Sequence, residues 1–127
     1  MKGKIIVTNA NPSESNLTTA KALKNPDFSY TGILQGAGFG KSEDYIFLQV
    51  FIGLEMPVLI QDGKVRTVTN VFNVNLTDTE IKFTYKPSNG APTYNDEVQI
   101  KFTKKDGSNG ISNKVLLQVG YNVPPFF

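Results

Sequence analysis

The side chains in this sequence that could carry out acid–base chemistry are carboxylates, which occur singly or in close pairs. The pairs are Glu43 with Asp44, Asp78 with Glu80, and Asp96 with Glu97. Two carboxylates can hydrolyse a glycosidic bond when the fold fixes their separation and gives them unequal pKa values. Each pair here stands in a predicted turn or at the start of a predicted strand, where Asp and Glu are common for conformational reasons. We therefore expect no catalytic residues and a protein that is not an enzyme.

Composition restricts most other chemistry. The sequence contains no Cys and no His, which removes thiol and imidazole nucleophiles, disulfides, and the usual zinc and haem ligands. Polar turns at 95–97 and 106–109 carry side-chain oxygens, but neither follows the ligand spacing of a calcium loop. The sequence thus predicts no metal site and no cofactor.

The charge is small and spread along the chain. The net charge of +2 comes from twelve Lys and a single Arg, Arg66, set against eleven carboxylates. Because recognition of phosphates and base edges depends strongly on the forked guanidinium group, one Arg argues against a nucleic-acid partner. An OB-fold protein that binds single strands by aromatic stacking is kept as a second alternative.

The sequence predicts neither a membrane partner nor a secretion signal. It has no run of about 18 apolar residues, which a membrane-spanning helix requires. The apolar stretch within residues 1–15 is too short for the core of a signal peptide. We expect a protein of the cytoplasm or of a virion.

Residues 45–54 form the stretch around which the fold is expected to be organised. Their sequence, YIFLQVFIGL, is apolar at odd and even positions alike, apart from Gln49 and Gly53. Because a strand alternates its side chains between two faces, this run predicts a central strand that is covered on both sides. Its aromatic and β-branched residues favour a strand over a helix, and Gly53 ends it.

Most of the remaining chain alternates apolar and polar residues between turns. This pattern predicts further strands at 4–8, 28–35, 58–61, 64–76, 81–85, 97–103 and 114–120. A bulge or a bend is expected at Gly32, because glycine in a strand often marks an irregularity. Asp62 and Gly63 between two of the strands are typical of a two-residue hairpin turn.

One short helix is the exception to this pattern. Asn11, Pro12 and Glu14 stand at favourable N-cap, N1 and N3 positions, with an ordered loop as the alternative. We therefore predict a single all-β domain over residues 1–127. It would be an antiparallel β-sandwich of jelly-roll or Ig-like type, or a small barrel, with at most one short helix near residues 12–24.

The end of the sequence is an apolar tail whose side chains are candidate partner contacts. These residues are Val123, Pro124, Pro125, Phe126 and Phe127. Burying one phenylalanine is worth about 1.5–3 kcal/mol, whereas ordering one residue costs about 1–2 kcal/mol. Since the two terms nearly cancel, we expect the tail to need a docking surface, either the end of its own domain or a neighbouring subunit.

Two functional hypotheses follow from these features. The first is a non-enzymatic structural or assembly protein, such as a phage capsid, decoration, spike or tail component. It would form a homo-oligomer or join a larger assembly through protein–protein contacts. The alternative is a carbohydrate-binding or adhesive β-sandwich with candidate glycan contacts at Phe39, Tyr94, Asn95 and Asp96. Phe39 and Tyr94 lie in Gly- and Pro-rich loops, where an aromatic ring is expected to be exposed.

Overall fold

The computed structural model of the chain describes residues 16–88 and 90–121. Within these ranges the chain forms ten β-strands and one turn of 3-10 helix at Ser42–Asp44. The strands are β1 (Asn16–Lys24), β2 (Tyr30–Ala37), β3 (Tyr45–Ile52), β4 (Val58–Gln61), β5 (Lys64–Val65), β6 (Val71–Leu76), β7 (Glu80–Tyr85), β8 (Glu97–Lys104), β9 (Asn109–Ile111) and β10 (Val115–Tyr121).

The strands form one sheet that is nearly closed and barrel-shaped. Its order is β5-β4-β3-β8-β10-β1-β2-β7-β6, and β9 pairs with β8 beside this path. The prediction of an all-β fold, a sandwich or a small barrel, is confirmed. Residues 66–70 join the two edge strands β5 and β6, so this connection crosses the seam at which the barrel nearly closes.

One strand pair departs from the predicted antiparallel arrangement. Strands β1 and β10 run parallel, with Ala20 opposite Leu117 and Lys24 opposite Tyr121. Parallel neighbours need a long connection between them. Nearly all of the described chain lies between β1 and β10, so this requirement is met without a crossover helix.

The register defines two ends of the barrel. Lys24 lies opposite Tyr30, Tyr30 opposite Tyr85, and Ile52 opposite Val98. These pairs place the last residues of β1 and β7 beside the first residue of β2, and the last residue of β3 beside the first residues of β8. Because β1, β3 and β7 run in the same direction, both groups lie toward the same end of the barrel. We call this the upper end.

The upper end carries the loops 25–29, 53–57, 66–70 and 86–96, together with Tyr121, the last residue of β10. Loop 86–96 connects β7 to β8, which are separated in the sheet by β2, β1 and β10. It therefore has to pass across the upper mouth of the barrel. The opposite, lower end carries the connection from β2 to β3.

Inward-facing side chains fill the barrel. Ile81 and Phe83 on β7 and Val98 and Ile100 on β8 are fully buried, on the faces that their alternation predicts. Each such side chain contributes about 1.5–3 kcal/mol through burial. Gly32 on β2 lies against the ring of Phe83. It pairs in register with both neighbouring strands, so no bulge interrupts β2 at this glycine.

The central strand is confirmed, but its predicted environment is not. β3 lies between β4 and β8, and its side chains Leu48, Val50 and Ile52 are buried. On the other face Ile46 is 42% exposed and Phe51 is half-buried. A sheet that curves into a barrel encloses its inner face alone, so the outer face of a central strand meets solvent. The prediction of cover on both sides is therefore wrong.

Strand β1 replaces the helix or ordered loop predicted near residues 12–24. Its register against β2 shifts between Leu17 and Thr19, and such a bulge changes the face to which the following residues point. As a result the buried residues Leu17 and Ala20 are three apart, which imitates helical spacing. The helix prediction is wrong for the described part of this range. Residues 12–15 and the predicted strand at 4–8 lie outside the described residues.

The hairpin predicted at Asp62 and Gly63 is confirmed. Ile60 pairs with Val65, and the two turn residues have positive φ angles of 55° and 80°, the geometry of a type I′ turn. The long second arm predicted over 64–76 is divided instead. β5 ends at Val65, and β6 pairs with β7 at the far edge of the sheet.

Candidate functional site

Six large apolar side chains of the described residues are 60–76% exposed. Five of them lie in the upper-end loops or at Tyr121, and Leu116 lies on β10 opposite Glu97, the first residue of β8. We call this set the apolar rim: Phe28, Leu54, Met56, Tyr94, Leu116 and Tyr121. The other exposed apolar side chains are no more than 42% exposed. Single exposed apolar residues are ordinary on protein surfaces, whereas a group of them at one end indicates a contact surface.

Main-chain hydrogen bonds hold Leu54 and Met56 at the tip of their loop. The N–H of Glu55 donates to the carbonyl of Ile52 (2.9 Å), and the N–H of Ile52 donates to the carbonyl of Glu55 (2.8 Å). The amide side chain of Gln49 donates to the Met56 carbonyl (2.9 Å). Because the backbone is held on both sides of the tip, the two apolar side chains project outward.

A turn with an unusual backbone presents Phe28. Its φ angle is 70°, a left-handed conformation that costs a residue with a side chain roughly 1–2 kcal/mol. The turn is held by the Asp27 carboxylate, which accepts from the hydroxyl (2.6 Å) and the N–H (3.1 Å) of buried Ser29. These bonds lower the pKa of Asp27. The ammonium of Lys24 lies 5.1 Å from the centroid of the Phe28 ring. Strain retained at an exposed aromatic residue supports a functional role.

A row of paired residues crosses four adjacent strands at the upper end. Tyr121 on β10 pairs with Lys24 on β1, Lys24 pairs with Tyr30 on β2, and Tyr30 pairs with Tyr85 on β7. Directly paired residues point to the same face of a sheet. The row therefore connects an exposed member of the apolar rim, Tyr121, to a fully buried tyrosine, Tyr85.

A cleft of about 220 Å³ opens beside Tyr85 at this end of the barrel. One wall comes from Leu54, Met56 and Pro57, and Val71 adds a further apolar surface. Two members of the apolar rim thus form part of a concave site.

The polar side of this cleft centres on the phenol of Tyr85. The residue is 1% exposed, and its hydroxyl has no hydrogen-bond partner among the described residues. Burial raises the pKa of Tyr85, and the negative charge of Glu55 adds to the effect. The Glu55 carboxylate accepts a hydrogen bond from the N–H of Ser88 (2.8 Å), which joins the two loops beside the cleft. The hydroxyl therefore keeps its proton and is shielded from solvent.

A larger cleft of about 420 Å³ lies on the outer surface, among β3, β8 and β10. Two of the candidate glycan contacts, Asn95 and Asp96, line it together with the half-buried ring of Phe51. The Asp96 carboxylate also lies close to Gly53, where an added Cβ atom would be 2.8 Å from the carboxyl carbon. The structure thus brings two of the four predicted glycan residues into one concave site.

Phe39 is separated from the other candidate glycan contacts. It is fully buried at the lower end, where its carbonyl accepts a hydrogen bond from the hydroxyl of Tyr45. Gly38 and Gly40 on either side have positive φ angles of 78° and 76°, which turn the chain so that the ring enters the core. The prediction that Phe39 is exposed is wrong. Tyr94, by contrast, is exposed at the upper end.

The carboxylate pairs of the sequence are used in turns. In each pair one carboxylate accepts a main-chain hydrogen bond from a nearby turn. These bonds join Asp44 to the N–H of Lys41 (3.2 Å), Asp78 to the N–H of Gly40 (3.0 Å) and Asp96 to the N–H of Thr93 (3.0 Å). Over the described ranges, no group of three or more acidic side chains is arranged to hold a metal ion.

Sequence reasoning missed most of the apolar rim. Phe28 was assigned to a strand and Leu54 to the end of the central strand, and the last predicted strand ended one residue before Tyr121. A local signal could have found two members, since Leu54 follows Gly53 and Met56 precedes a proline. Both residues therefore stand in a turn, and turns lie on the surface.

The tail predicted to contact a partner follows the upper end of β10. Its residues Val123, Pro124, Pro125, Phe126 and Phe127 lie outside the described residues. Since β10 ends at Tyr121, which is a rim residue, the tail begins two residues after the rim in the sequence.

Across the two described ranges, no helix is long and apolar enough to span a bilayer.

Comparison with known proteins does not identify a family for this chain. No model of a known protein family matches the chain, and no curated protein matches it at a significant level.

Proposed function

We propose that this protein is a non-enzymatic structural or assembly protein that makes protein–protein contacts through the apolar rim. The observation that carries the proposal is the position of the most exposed apolar side chains of the described residues, because five of the six lie in the upper-end loops or at Tyr121. Aromatic residues and Met are enriched in interface cores, and a few such anchors supply most of the binding energy. Burying one of them against a partner contributes about 1.5–3 kcal/mol.

The upper half of β10 adds main-chain groups to this surface. β10 pairs with β8 through Val115 and Leu116 and continues along β1 as far as Tyr121. The N–H of Leu117 donates to the Asp96 carbonyl (2.9 Å). Beyond that residue, the described part of the chain pairs β10 with β1 alone. A strand with one unpaired side can accept a strand from another molecule.

The partner that we propose is a second copy of this chain, in a homo-oligomer or in a larger assembly such as a phage virion. The net charge of +2 is small for a 127-residue chain, so copies repel one another only weakly. A stable contact needs roughly 1,000 Å² of buried surface, which a rim spread over several loops and the β10 edge can offer.

Size-exclusion chromatography with light scattering over a range of concentrations tests this proposal. The mass of the wild type should rise with concentration from 14.0 kDa toward a whole-number multiple of that value. The double variant Leu54→Ser with Met56→Ser should remain at the monomer mass, because it removes two apolar side chains from the rim without touching the core.

The matched control is the double variant Ile46→Ser with Val65→Ser. These two residues are also exposed and apolar, at 42% and 40%, but lie outside the rim. The control should assemble as the wild type does. A wild type that stays monomeric at every concentration would contradict the proposal, as would a rim variant that assembles normally.

The larger cleft favours carbohydrate binding as a second candidate function. Asn95 and Asp96 supply hydrogen-bonding groups and Phe51 an apolar face in the same concave site, a combination suited to small polar ligands. On a glycan array, a wild-type signal should be lost in Asn95→Ala and kept in Tyr94→Ala, which lies outside the cleft lining. A wild type that binds no glycan on the array would eliminate this candidate.

A further inference from the structure

We propose that two copies of this chain join edge to edge through the upper half of β10, with the two strands antiparallel and Val119 of each copy opposite Tyr121 of the other. The inference rests on the proposed function, because it names the strand through which the copies contact each other. It gives a partner to main-chain groups that the barrel leaves open.

The hydrogen bond of Leu117 shows which way the main chain of β10 points. The N–H of this residue donates to the carbonyl of Asp96 (2.9 Å), on the side of β8. Along a strand, successive residues direct their N–H and C=O groups to opposite edges. The pairing with β1 is regular from Leu117 to Tyr121. Val119 and Tyr121 therefore direct these groups to the same side as Leu117, away from β1.

Strand β8 does not extend far enough to pair with Val119 or Tyr121. It begins at Glu97, and the residues before it form a tight turn, in which the N–H of Asp96 donates to the carbonyl of Thr93 (3.0 Å). No described residue bonds to the main chain of Val119 or Tyr121 on this side. The two residues are 41% and 74% exposed, so this edge is open to another strand.

Main-chain groups at the other end of the same pair of strands are protected. At the start of β1, the side-chain oxygen of Asn113 accepts from the N–H of Leu17 (2.9 Å), and its amide donates to the carbonyl of Leu17 (2.9 Å). Sheet edges are also protected by charged residues and prolines, and residues 115–121 include neither. An edge without such protection accepts an added strand.

A second copy of β10 fits this edge. Val119 and Tyr121 are two residues apart, so a two-fold axis beside Gly120 places Val119 of each copy opposite Tyr121 of the other. Each such pair exchanges both of its N–H···O bonds, and its aromatic and β-branched side chains stabilise the contact. Glycine within a strand often marks the close approach of another backbone, and Gly120 lies in a stretch without a bulge.

The same arrangement brings the apolar rims of the two copies together. The sheet order β3-β8-β10 places the added strand in line with β8, beside the loop 53–57 that follows β3. This loop carries the rim residues Leu54 and Met56. A strand edge alone is too small for a stable interface, which needs roughly 1,000 Å² of buried surface, so the rim supplies the remaining area. Since residues 115–121 are uncharged, the axis places no like charges opposite each other on β10.

Electron paramagnetic resonance on spin-labelled chains tests the arrangement. The sequence contains no Cys, so Lys114→Cys and Gln118→Cys each provide a single, exposed site for a nitroxide label. With about 3.3 Å per residue and about 4.8 Å between strands, the two Cα atoms should be about 40 Å apart at residue 114 and about 14 Å apart at residue 118. Dilution with unlabelled chains should weaken the dipolar signal, because it arises between copies.

The outcomes separate this inference from the proposed function. The distances are measured at a concentration at which light scattering shows assembly. If the assembled chains give no shortening from residue 114 to residue 118, the pairing of β10 is overturned while assembly through the rim stands. A wild type that stays monomeric at every concentration would overturn both.

A proline at position 119 tests the main-chain bonds themselves. Val119→Pro removes an N–H that points away from β1, so the barrel keeps its own hydrogen bonds while the contact loses one from each copy. The variant should keep the far-ultraviolet circular dichroism of the wild type and remain at the monomer mass. Val119→Thr, which keeps the N–H and the β-branch, is the matched control and should assemble. A folded Val119→Pro that assembles normally would overturn the pairing. If proline unfolds the barrel, the spin-label distances decide, because they leave residue 119 unchanged.

Discussion

Tyr30 and Tyr85 lie opposite each other on β2 and β7 with their ring centroids 6.1 Å apart. Tyr30 is half-buried and Tyr85 is fully buried. Below them in the core, the ring of Phe83 lies 5.6 Å from that of Tyr85. This aromatic group joins the interior of the barrel to the cleft at its upper end. Substitutions at Tyr85 should therefore affect both the packing of the core and the shape of the cleft.

Tyr85 should not ionise while the protein is folded. Burial raises the pKa of Tyr85, so the folded state keeps a proton that the unfolded chain loses near about pH 10. The stability that this provides is fully present below about pH 10 and is lost as the pH rises toward the folded-state pKa. In an ultraviolet titration, the difference between the wild type and Tyr85→Phe should show no tyrosinate before the protein unfolds. A difference signal centred near about pH 10 in the folded protein would contradict this.

The backbone of Phe28 should make glycine more stable than alanine at this position. Both Phe28→Gly and Phe28→Ala lose the ring and its contact with Lys24, but glycine adopts the observed φ of 70° without steric cost. We expect Phe28→Gly to exceed Phe28→Ala by about 1 kcal/mol in free energy of unfolding, measured with urea. An advantage for alanine would mean that the left-handed turn is not kept. Both variants should assemble less than the wild type, since each removes a rim residue.

The close contact between Gly32 and Phe83 should make the barrel sensitive to one added methyl group. A Cβ atom at Gly32 would overlap the Phe83 ring, and overpacking of this kind costs about 1–3 kcal/mol. Gly32→Ala should therefore lower the urea midpoint of unfolding. Gly120→Ala is the matched control in another strand, because its Cβ would be at an ordinary 3.4 Å from the nearest side-chain atom of Leu23. Equal effects of the two variants would refute the packing argument.

Ser29 should determine the acid titration of Asp27. Its hydroxyl and N–H bonds lower the pKa of Asp27. The resulting stabilisation is present above the unfolded-state pKa and is lost as the pH falls through the folded-state value. In Ser29→Ala the hydroxyl bond is removed, so the pKa of Asp27 should rise toward its usual range in a carboxyl-carbon NMR titration. Ser108→Ala removes a similar bond, to Asp106 (2.6 Å), and should leave the pKa of Asp27 unchanged. If Ser29→Ala gave the wild-type titration, Ser29 would not be the cause.

Sequence patterns were reliable where the physical signal is local. The alternation of Ile81, Phe83 and Tyr85 placed one face of β7 in the core, and the turn at Asp62 and Gly63 followed from backbone preferences of single residues. Local patterns failed where one extra residue reversed the faces to which the following side chains point, as at the bulge after Leu17.

They also failed where the path of a loop decided burial. Phe39 stands between two glycines, which is typical of an exposed loop. The same two glycines let its loop turn the ring into the core. The outer face of β3 is open for a related reason, because closure of a sheet is a property of all its strands and leaves no trace within one of them.

The sequence by itself determined the all-β class, most of the strands and the inward faces of β7 and β8, because period-two alternation and turn preferences act over a few residues. Tertiary structure alone decided that Phe28, Leu54 and Tyr121 lie toward the same end of the barrel. These residues are far apart in sequence, and their proximity depends on strand order and register. Both are set by the summed pairing and burial of the whole sheet.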